Sequence, residues 1–576
     1  MSHHRRGVFG FGLSILPLLA IVVGCAQPAG PGKEGSRAST TDARVPTRLV
    51  ASIFSDPTGM HQELTNRTVG SVPGLDALQQ IMNAGLSYSD DRNVFQQLLA
   101  EALPSTDSGL WQVFPDGRME TTWHLKPNLV WHDGMPFTSD DLAFAMMINR
   151  DKELGFAVLG SLDLVEGIDI PDPRTAVIRW AKPFIEADTM FSAGIVSPLP
   201  KHVLQQPYSE DKASLFGHPF WREEYVGVGP FRLQEWVPGS HLSLIANDAY
   251  VLGRPRIDQM EVRFITEFNT VVANLLAGAT DIHLGRGFGV EQLLDLRTTA
   301  PNMQVQVGAG LIGDPIPMFP QFMNTDPPVV ANLDFRRALL RAIDRQEMTD
   351  TINYGLAPTA HTWLQPDRVE FRFIEGRINR YEYDLRSAAQ TVESLGYARG
   401  ADGVYRDAGG QKLHIELRTT DQRLIQPRSA FSVGDYWKRF GIDIDVTNVP
   451  NQLIPDREYR SQFPAFELVA GGVNQMSNSV QNWLSTSAPT AETRFVGGNR
   501  ARYRSPELDG FIQRYVTSIP VSDRMMALGD VIHHQSENLT MMTLFYEGSV
   551  LMLGSRRLRN VTNHTKFWNT HLWEVE

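Results

Sequence analysis

From Leu49 onward, segments whose apolar residues recur every second position alternate with segments recurring every 3.6 positions, and this grammar confines the chain to α/β architectures. Met119, Thr121, Trp123 and Leu125 alternate with Glu120, Thr122, His124 and Lys126, which predicts a strand with one polar face. A turn is expected at Asp133-Gly134 between Trp131 and Phe137. Thr138 and Asp141 then stand three apart, as in a capping box, and open a helix with Leu142, Ala145 and Met146 inward. Phe335, Ala338, Leu339, Ala342 and Ile343 share one helix face, with Arg336, Arg337 and Arg341 expected outside it. Asp384 can cap a helix that carries Ala388, Val392 and Leu395 inward and stops at Gly396. Leu413, Ile415 and Leu417 alternate, a helix ends near Gly441, and Ile442, Ile444 and Val446 alternate again, which makes a strand–helix–strand unit. Ser505-Pro506 supplies an N-cap and a first-turn proline ahead of Leu508, Phe511, Ile512 and Tyr515.

The N-terminus bears on compartment. Arg5-Arg6 precede a 16-residue apolar run, Val8 to Val23, with Pro17 inside it. About 20 residues are needed to cross a bilayer as a helix, so residues 1–24 read as a cleavable secretory signal rather than a permanent anchor. The small residues before Cys25 resemble a bacterial lipobox, which implies a diacylglycerol on its sulfur and Cys25 as the first mature residue. The stretch 25–47 has almost no apolar side chain to bury a thiol and reads as a flexible tether. Adjacent arginines also fit a twin-arginine signal, so the export route stays open.

Composition narrows the function classes. Lys plus Arg number 53 against 65 Asp plus Glu, a net charge of -12, and nucleic acid is not an expected partner. Cys25 is the single cysteine, which excludes disulfide frameworks and multi-cysteine metal or redox motifs. None of the 15 histidines lies in an H-E-x-x-H array, and there is no G-x-S-x-G elbow or Walker loop. Gly285-Arg286-Gly287-Phe288-Gly289 lacks the spacing of a dinucleotide fingerprint and reads as a turn. Asp140-Asp141 is better explained by helix capping than by acid–base work. No metal or cofactor is expected. Carboxylates far apart in sequence leave a dispersed glycosidase pair open.

Five runs, in order over some 400 residues, resemble the signatures of the family 5 extracellular solute-binding proteins, the oligopeptide- and dipeptide-type receptors of ABC importers. They are Trp123-His124-Leu125-Lys126-Pro127 through Trp131-His132-Asp133-Gly134-Met135-Pro136-Phe137-Thr138 and Asp141; Val226-Gly227-Val228-Gly229-Pro230-Phe231-Arg232-Leu233 with Glu235-Trp236 and Pro238-Gly239; Asp334-Phe335-Arg336-Arg337-Ala338-Leu339 with Ala342-Ile343-Asp344-Arg345; Tyr383-Asp384 with Gly396-Tyr397; and Tyr503-Arg504-Ser505-Pro506-Glu507-Leu508-Asp509. Most of these residues read as structural, and Gly227, Gly229 and Pro230 as a backbone turn before a strand. The resemblance implies a periplasmic-binding-protein-like type II fold, α/β, with two lobes around a cleft and an extra inserted domain of the cluster C type. It places lobe I at 48–85, 186–310 and 543–576, the inserted domain at 86–185 and lobe II at 311–542, with crossings near Pro315–Asn324 and Leu544–Tyr546. It further implies a monomeric, lipid-anchored receptor facing the periplasm or cell exterior, which closes by hinge motion on a small solute and is read by membrane permease subunits, without chemistry.

The ligand is less constrained. Many peptide-binding relatives carry an aspartate in a Trp-x-x-Asp-Tyr-like run of the second lobe. The corresponding 24 residues here, Leu468 to Ala491, contain no acidic or basic side chain. A buried ammonium needs an anion, so a peptide requires an acid from elsewhere. Asn474, Gln475, Asn478, Gln481 and Asn482 offer neutral donors and acceptors and Trp483 a flat face, which suits a sugar or capped peptide equally; a polar surface loop with Trp483 in the core fits as well. Phe322, Asn324, Trp363 and Tyr546, near the crossings, complete the expected ligand-binding set with Asn474, Gln475 and Trp483. A sugar-binding member, a secreted hydrolase, and a chemosensory or adhesion module are the alternatives to peptide import.

Overall fold

The computed structural model describes residues 46–60, 74–90, 94–151, 153–154, 160–192, 195–285, 289–421, 423–469, 476–561 and 567–576. The expected signal, Cys25 and nearly all of the tether lie outside the described residues, as do Asn474 and Gln475. No helix among the described residues is long and apolar enough to cross a membrane.

The framework is a ten-stranded mixed sheet. One half holds β1 (Arg48–Ile53), with the hairpin strands and neighbours β8 (Phe231–Val237), β9 (His241–Ala246), β10 (Gln259–Phe264) and β11 (Ile282–His283). The other holds β15 (His414–Thr419), β16 (Asp443–Asn448) and β17 (Phe466–Leu468). Two long antiparallel strands, β12 (Met303–Pro320) and β18 (Met542–Ser555), stand between the halves and join them. A separate four-stranded antiparallel sheet is formed by β4 (Trp111–Val113), β5 (Met119–His124), β6 (Val165–Asp172) and β7 (Thr175–Trp180), preceded by a hairpin of β2 (Ser87–Ser89) and β3 (Phe95–Gln97). Two more hairpins, β13 (Ala398–Arg399) with β14 (Tyr405–Arg406) and β19 (Leu558–Arg559) with β20 (Glu574–Val575), complete the strands.

The apolar residues segregate into a first-lobe core, which spans β1, the β8–β10 meander and the four-stranded sheet through Trp123, Trp180 and Phe231, and a second-lobe core around Phe335, Trp437 and Phe466. A satellite of the second lobe gathers Trp363, Trp483, Ile512 and Leu528, and Ile185 packs into it from the chain that leaves β7. The molecule is thus a two-lobed α/β fold with an added sheet on the first lobe.

Local chemistry explains these elements. In β5 Met119, Thr121 and Trp123 are buried while their neighbours are half-exposed, the period-two pattern read from the sequence. Asp141 Oδ2 accepts from Thr138 N (2.9 Å) and from Trp131 Nε1 (3.2 Å), so the capping residue also anchors the turn before the helix. Asp384 and Ser505 accept from Ser387 N and Leu508 N at the starts of their helices. Arg336 departs from expectation: it is 3% exposed rather than outside. Its guanidinium donates to the carbonyls of Val330 (2.8 Å), Ala331 (2.7 Å) and Asn538 (2.9 Å), satisfying chain ends that no backbone N–H reaches.

The two glycines of Val226-Gly227-Val228-Gly229 are required by close approach rather than by an unusual φ. A Cβ on Gly227 would lie 2.0 Å from the Met82 carbonyl oxygen, and one on Gly229 2.4 Å from the Met82 carbonyl carbon. His132 of the preceding signature locks this contact. Gly227 N donates to His132 Nδ1 (3.1 Å), so the proton sits on Nε2 and is donated to Gly229 O (3.0 Å). Burial drops the His132 pKa to about 4, keeping the ring neutral. Because the folded pKa lies below the ordinary 6.5, the folded state binds fewer protons between these values, and stability is lost as pH falls from about 6.5 towards about 4. We expect His132→Ala to cost about 2–4 kcal/mol in denaturant unfolding at pH 7.5, through the stranded Gly227 N–H and Gly229 carbonyl. The difference from the parent should narrow at pH 4.5.

Candidate functional site

Strand direction locates the cleft. β12 runs from the first half of the sheet, where Met303 to Gln306 face β18 beside β11, to the second half, where Met318 to Pro320 pair with β17. β11 is antiparallel to β18 and therefore runs with β12, and β1 and β10 are parallel to β11. β17 is antiparallel to β12, and β15 and β16 run with β17. The carboxyl ends of both sets of parallel strands consequently point at each other. Ligands of open α/β sheets bind beyond such ends, and here two sets share one crevice. The β12–β18 ladder shifts register four times between Gln306 and Pro317, so the connection is weakest where it borders the crevice.

Charged side chains bridge the lobes beside this crevice. Glu291, in the first turn of the helix Val290–Thr299, pairs with Arg428 (2.8 Å) and accepts from the Tyr354 hydroxyl. Arg423 pairs with Glu547 on β18. At the β1 and β11 ends, Ser52 Oγ is 3.0 Å from His283 Nδ1, and the His283 ring lies 4.4 Å from that of Phe54.

A cavity of about 580 Å³, ample for a small organic solute, lies between the β2–β3 hairpin and residues 185–195 on one side and residues 368–373, Met476 and the start of the helix Val521–Asn538 on the other. Glu186 and Asp188 enter it from the first side. Glu186 Oε1 accepts from Ser477 N (3.0 Å) and Oε2 from Ser477 Oγ (2.5 Å), so this carboxylate ties a second-lobe helix to the first lobe. Burial raises its pKa, and the Ser477 bonds and the charges of Arg524 and Arg368 oppose the rise. Asp188 is different. Among the described residues no side chain hydrogen-bonds its carboxylate and no cation comes within 4.0 Å. Burial lifts its pKa to about 6, with Arg524 opposing and Glu186 adding to the shift. Arg368, Arg372 and Arg524 reach the cavity from the second lobe. Arg524 Nη1 donates weakly to Ile185 O (3.4 Å).

Of the residues expected from sequence, those that the structure describes do not line this cavity. Trp363 is buried and its indole N–H donates to Gln535 Oε1 (2.8 Å). Tyr546 is buried with its hydroxyl 2.9 Å from Thr362 O and 2.8 Å from Leu364 O. Trp483 packs in the satellite core near Phe319. Phe322 is half-buried between the Tyr503 ring and the Arg336 guanidinium. Asn324 is exposed, in a left-handed turn. Met476, directly after the unplaced pair Asn474-Gln475, does line the cavity. Glu186, Asp188, Arg368, Tyr515 and Arg524 were not singled out from the sequence. Two acids set among Phe184, Ile185, Ala187 and Met190 were the available signal, since carboxylates in an apolar run are rarely accidental.

The Asp188 carboxyl holds its proton longer in the folded chain than in the unfolded one, so stability falls as pH rises from about 3.8 to about 6 and the deficit persists above. Asp188→Asn removes it. We expect the variant to be more stable than the parent at pH 8, by about 1–2 kcal/mol after allowing for solvent screening, and equal to it near pH 3.5 in thermal unfolding.

Comparison with known proteins agrees with this architecture. The family model for bacterial extracellular solute-binding proteins, family 5 (middle) matches residues 101–491. Oligopeptide-binding protein AppA of Bacillus subtilis is 22% identical over 450 residues, 75% of this chain and 74% of that protein. Its structure in complex with a nonapeptide superposes with a TM-score of 0.65 over 92% of this chain and all of AppA. A relative from Brucella ovis is 27% identical over 268 residues, 46% of this chain and about half (47%) of its own length. NikA from Brucella suis, solved with Fe(III)-EDTA, is 16% identical, with a TM-score of 0.73 over 92% of this chain and 100% of NikA. The chain belongs to the family 5 bacterial extracellular solute-binding proteins.

Proposed function

We propose that this protein is the receptor of an ABC importer: it captures a peptide or peptide-like solute between its lobes and presents it, unaltered, to a membrane permease. The observation that carries this reading is the meeting of two sets of strand carboxyl ends across a crevice whose lobes are joined in one sheet through the irregular β12–β18 pair. Membership of the family and the printed description of AppA as an oligopeptide-binding protein support it. A sugar is the alternative solute. A hydrolytic role would draw on paired cleft acids, but both Glu186 oxygens accept from Ser477, which favours a tie between lobes over proton transfer.

A receptor of this type compacts on its solute. Small-angle scattering of the mature protein should show a smaller radius of gyration with the small molecule that co-purifies with it, identified by native mass spectrometry, than after its removal by unfolding and refolding. An unchanged radius, or conversion of that molecule to product, would falsify the proposal.

Export with a lipid on Cys25 is part of the same reading. Wild-type protein made in a bacterial host should partition into detergent and carry diacylglycerol mass at its N-terminus. Cys25→Ala should move to the aqueous phase with at least a tenfold loss from the membrane fraction, since acyl chains contribute roughly 0.8 kcal/mol per buried CH₂.

A further inference from the structure

Charge in the interlobe cavity is sorted by lobe. The first lobe contributes Glu186 and Asp188; the second contributes Arg368, Arg372 and Arg524, with Glu370 its one acid. None of the three guanidiniums has a carboxylate within 4.0 Å among the described residues. Glu186 is occupied by Ser477, which leaves Asp188 as the first-lobe anion of this cavity without an ion-pair or side-chain partner among the described residues. The remaining wall is mostly apolar, with Phe95, Ile195, Met476, Tyr515 and Met525, and includes the hydroxyl residues Ser89 and Thr189.

We infer that the cavity holds a zwitterionic solute by its two charges, a protonated amine against Asp188 of the first lobe and an anionic group against Arg524 and Arg368 of the second; this rests on the solute-capture reading above. A carboxylate removed from water among apolar neighbours gains most from an incoming cation. Guanidiniums present forked donors that match a carboxylate. Both Asp188 and Arg524 line the cavity and no ion pair joins them among the described residues, so a solute need not displace a bond already made. Burial raises the Asp188 pKa against the opposing pull of Arg524 and of a bond from its own backbone, and the same desolvation favours an incoming amine. The acid that a peptide amine requires, missing from residues 468–491, is thus supplied by the opposite lobe. A neutral sugar would leave all of these charges unpaired.

The test uses the mature protein and alanine peptides of two to five residues with free termini, their N-acetylated and C-amidated forms, and maltotriose, with binding read by calorimetry and closure by scattering. Free peptides should bind, and N-acetylation should weaken binding at least tenfold. Asp188→Asn should weaken the free peptides by a similar factor and leave the acetylated ones unchanged. Arg524→Gln should show the same non-additivity with C-amidation. Circular dichroism confirms that each variant is folded, and Asp107→Asn, which removes an exposed carboxylate outside the cavity, should leave the N-acetyl discrimination intact. Equal binding of free and acetylated peptides, an Asp188→Asn loss that is the same for both, or binding of maltotriose alone overturns the inference while solute capture stands. Compaction with none of these probes and with no co-purifying molecule overturns both.

Discussion

Two strands hold the sheet together. Among the described residues the halves of the ten-stranded sheet meet through β12 and β18, and their ladder is regular at its ends, where each lobe's core grips it, and irregular in between. Backbone pairing is cooperative and stiff where residues face each other in register; each shift inserts unpaired residues and local bending. The lobes are therefore joined by a continuous pair of strands that is locally irregular at the level of the crevice. The same pair fixes what lies at that level, because its antiparallel order turns the parallel strands of both lobes towards the crevice.

The family signatures serve this framework more than the solute. His132 and the glycines at 227 and 229 come from runs about 95 residues apart and meet at the end of the helix Leu75–Met82. A ring neutral at physiological pH, one donor and one acceptor, and two positions without Cβ fit one another and nothing larger. Motifs of this kind identify a scaffold because their geometry has few substitutes. They say little about specificity, which depends on side chains free to vary around the cavity.

Much of the fold was legible because it is local. Period-two burial in β5, the caps at Asp141, Asp384 and Ser505, and the left-handed glycines at 134, 396 and 441 follow from residues within a few positions of one another. Arg336 was misread for the complementary reason: helix periodicity places it on the polar side, but carbonyls at Val330, Ala331 and Asn538 converge there only after the chain folds. The site was less legible still. Aromatics near the crossings looked like ligand platforms, yet Trp363 and Tyr546 already spend their polar atoms on Gln535, Thr362 and Leu364 inside the core. The cavity instead joins residues near 89, 188, 370, 476 and 524, which no local pattern connects.

The charges that make the cavity selective also work against closing it empty. An empty closed form would keep Asp188 largely desolvated with no ion-pair partner among the described residues, and would gather three guanidiniums without pairing them. Moving a two-state equilibrium from 1:99 to 99:1 takes about 5.5 kcal/mol of differential affinity. Two charge-assisted hydrogen-bonding contacts, one to each lobe, contribute about 1.5–3 kcal/mol apiece. Together they span roughly the required range without any contribution from the apolar wall. Neither contact alone does so, because a solute held by one lobe has equal affinity for the open and closed forms and shifts nothing. Placing opposite charges on opposite lobes is therefore what makes closure depend on a solute that carries both.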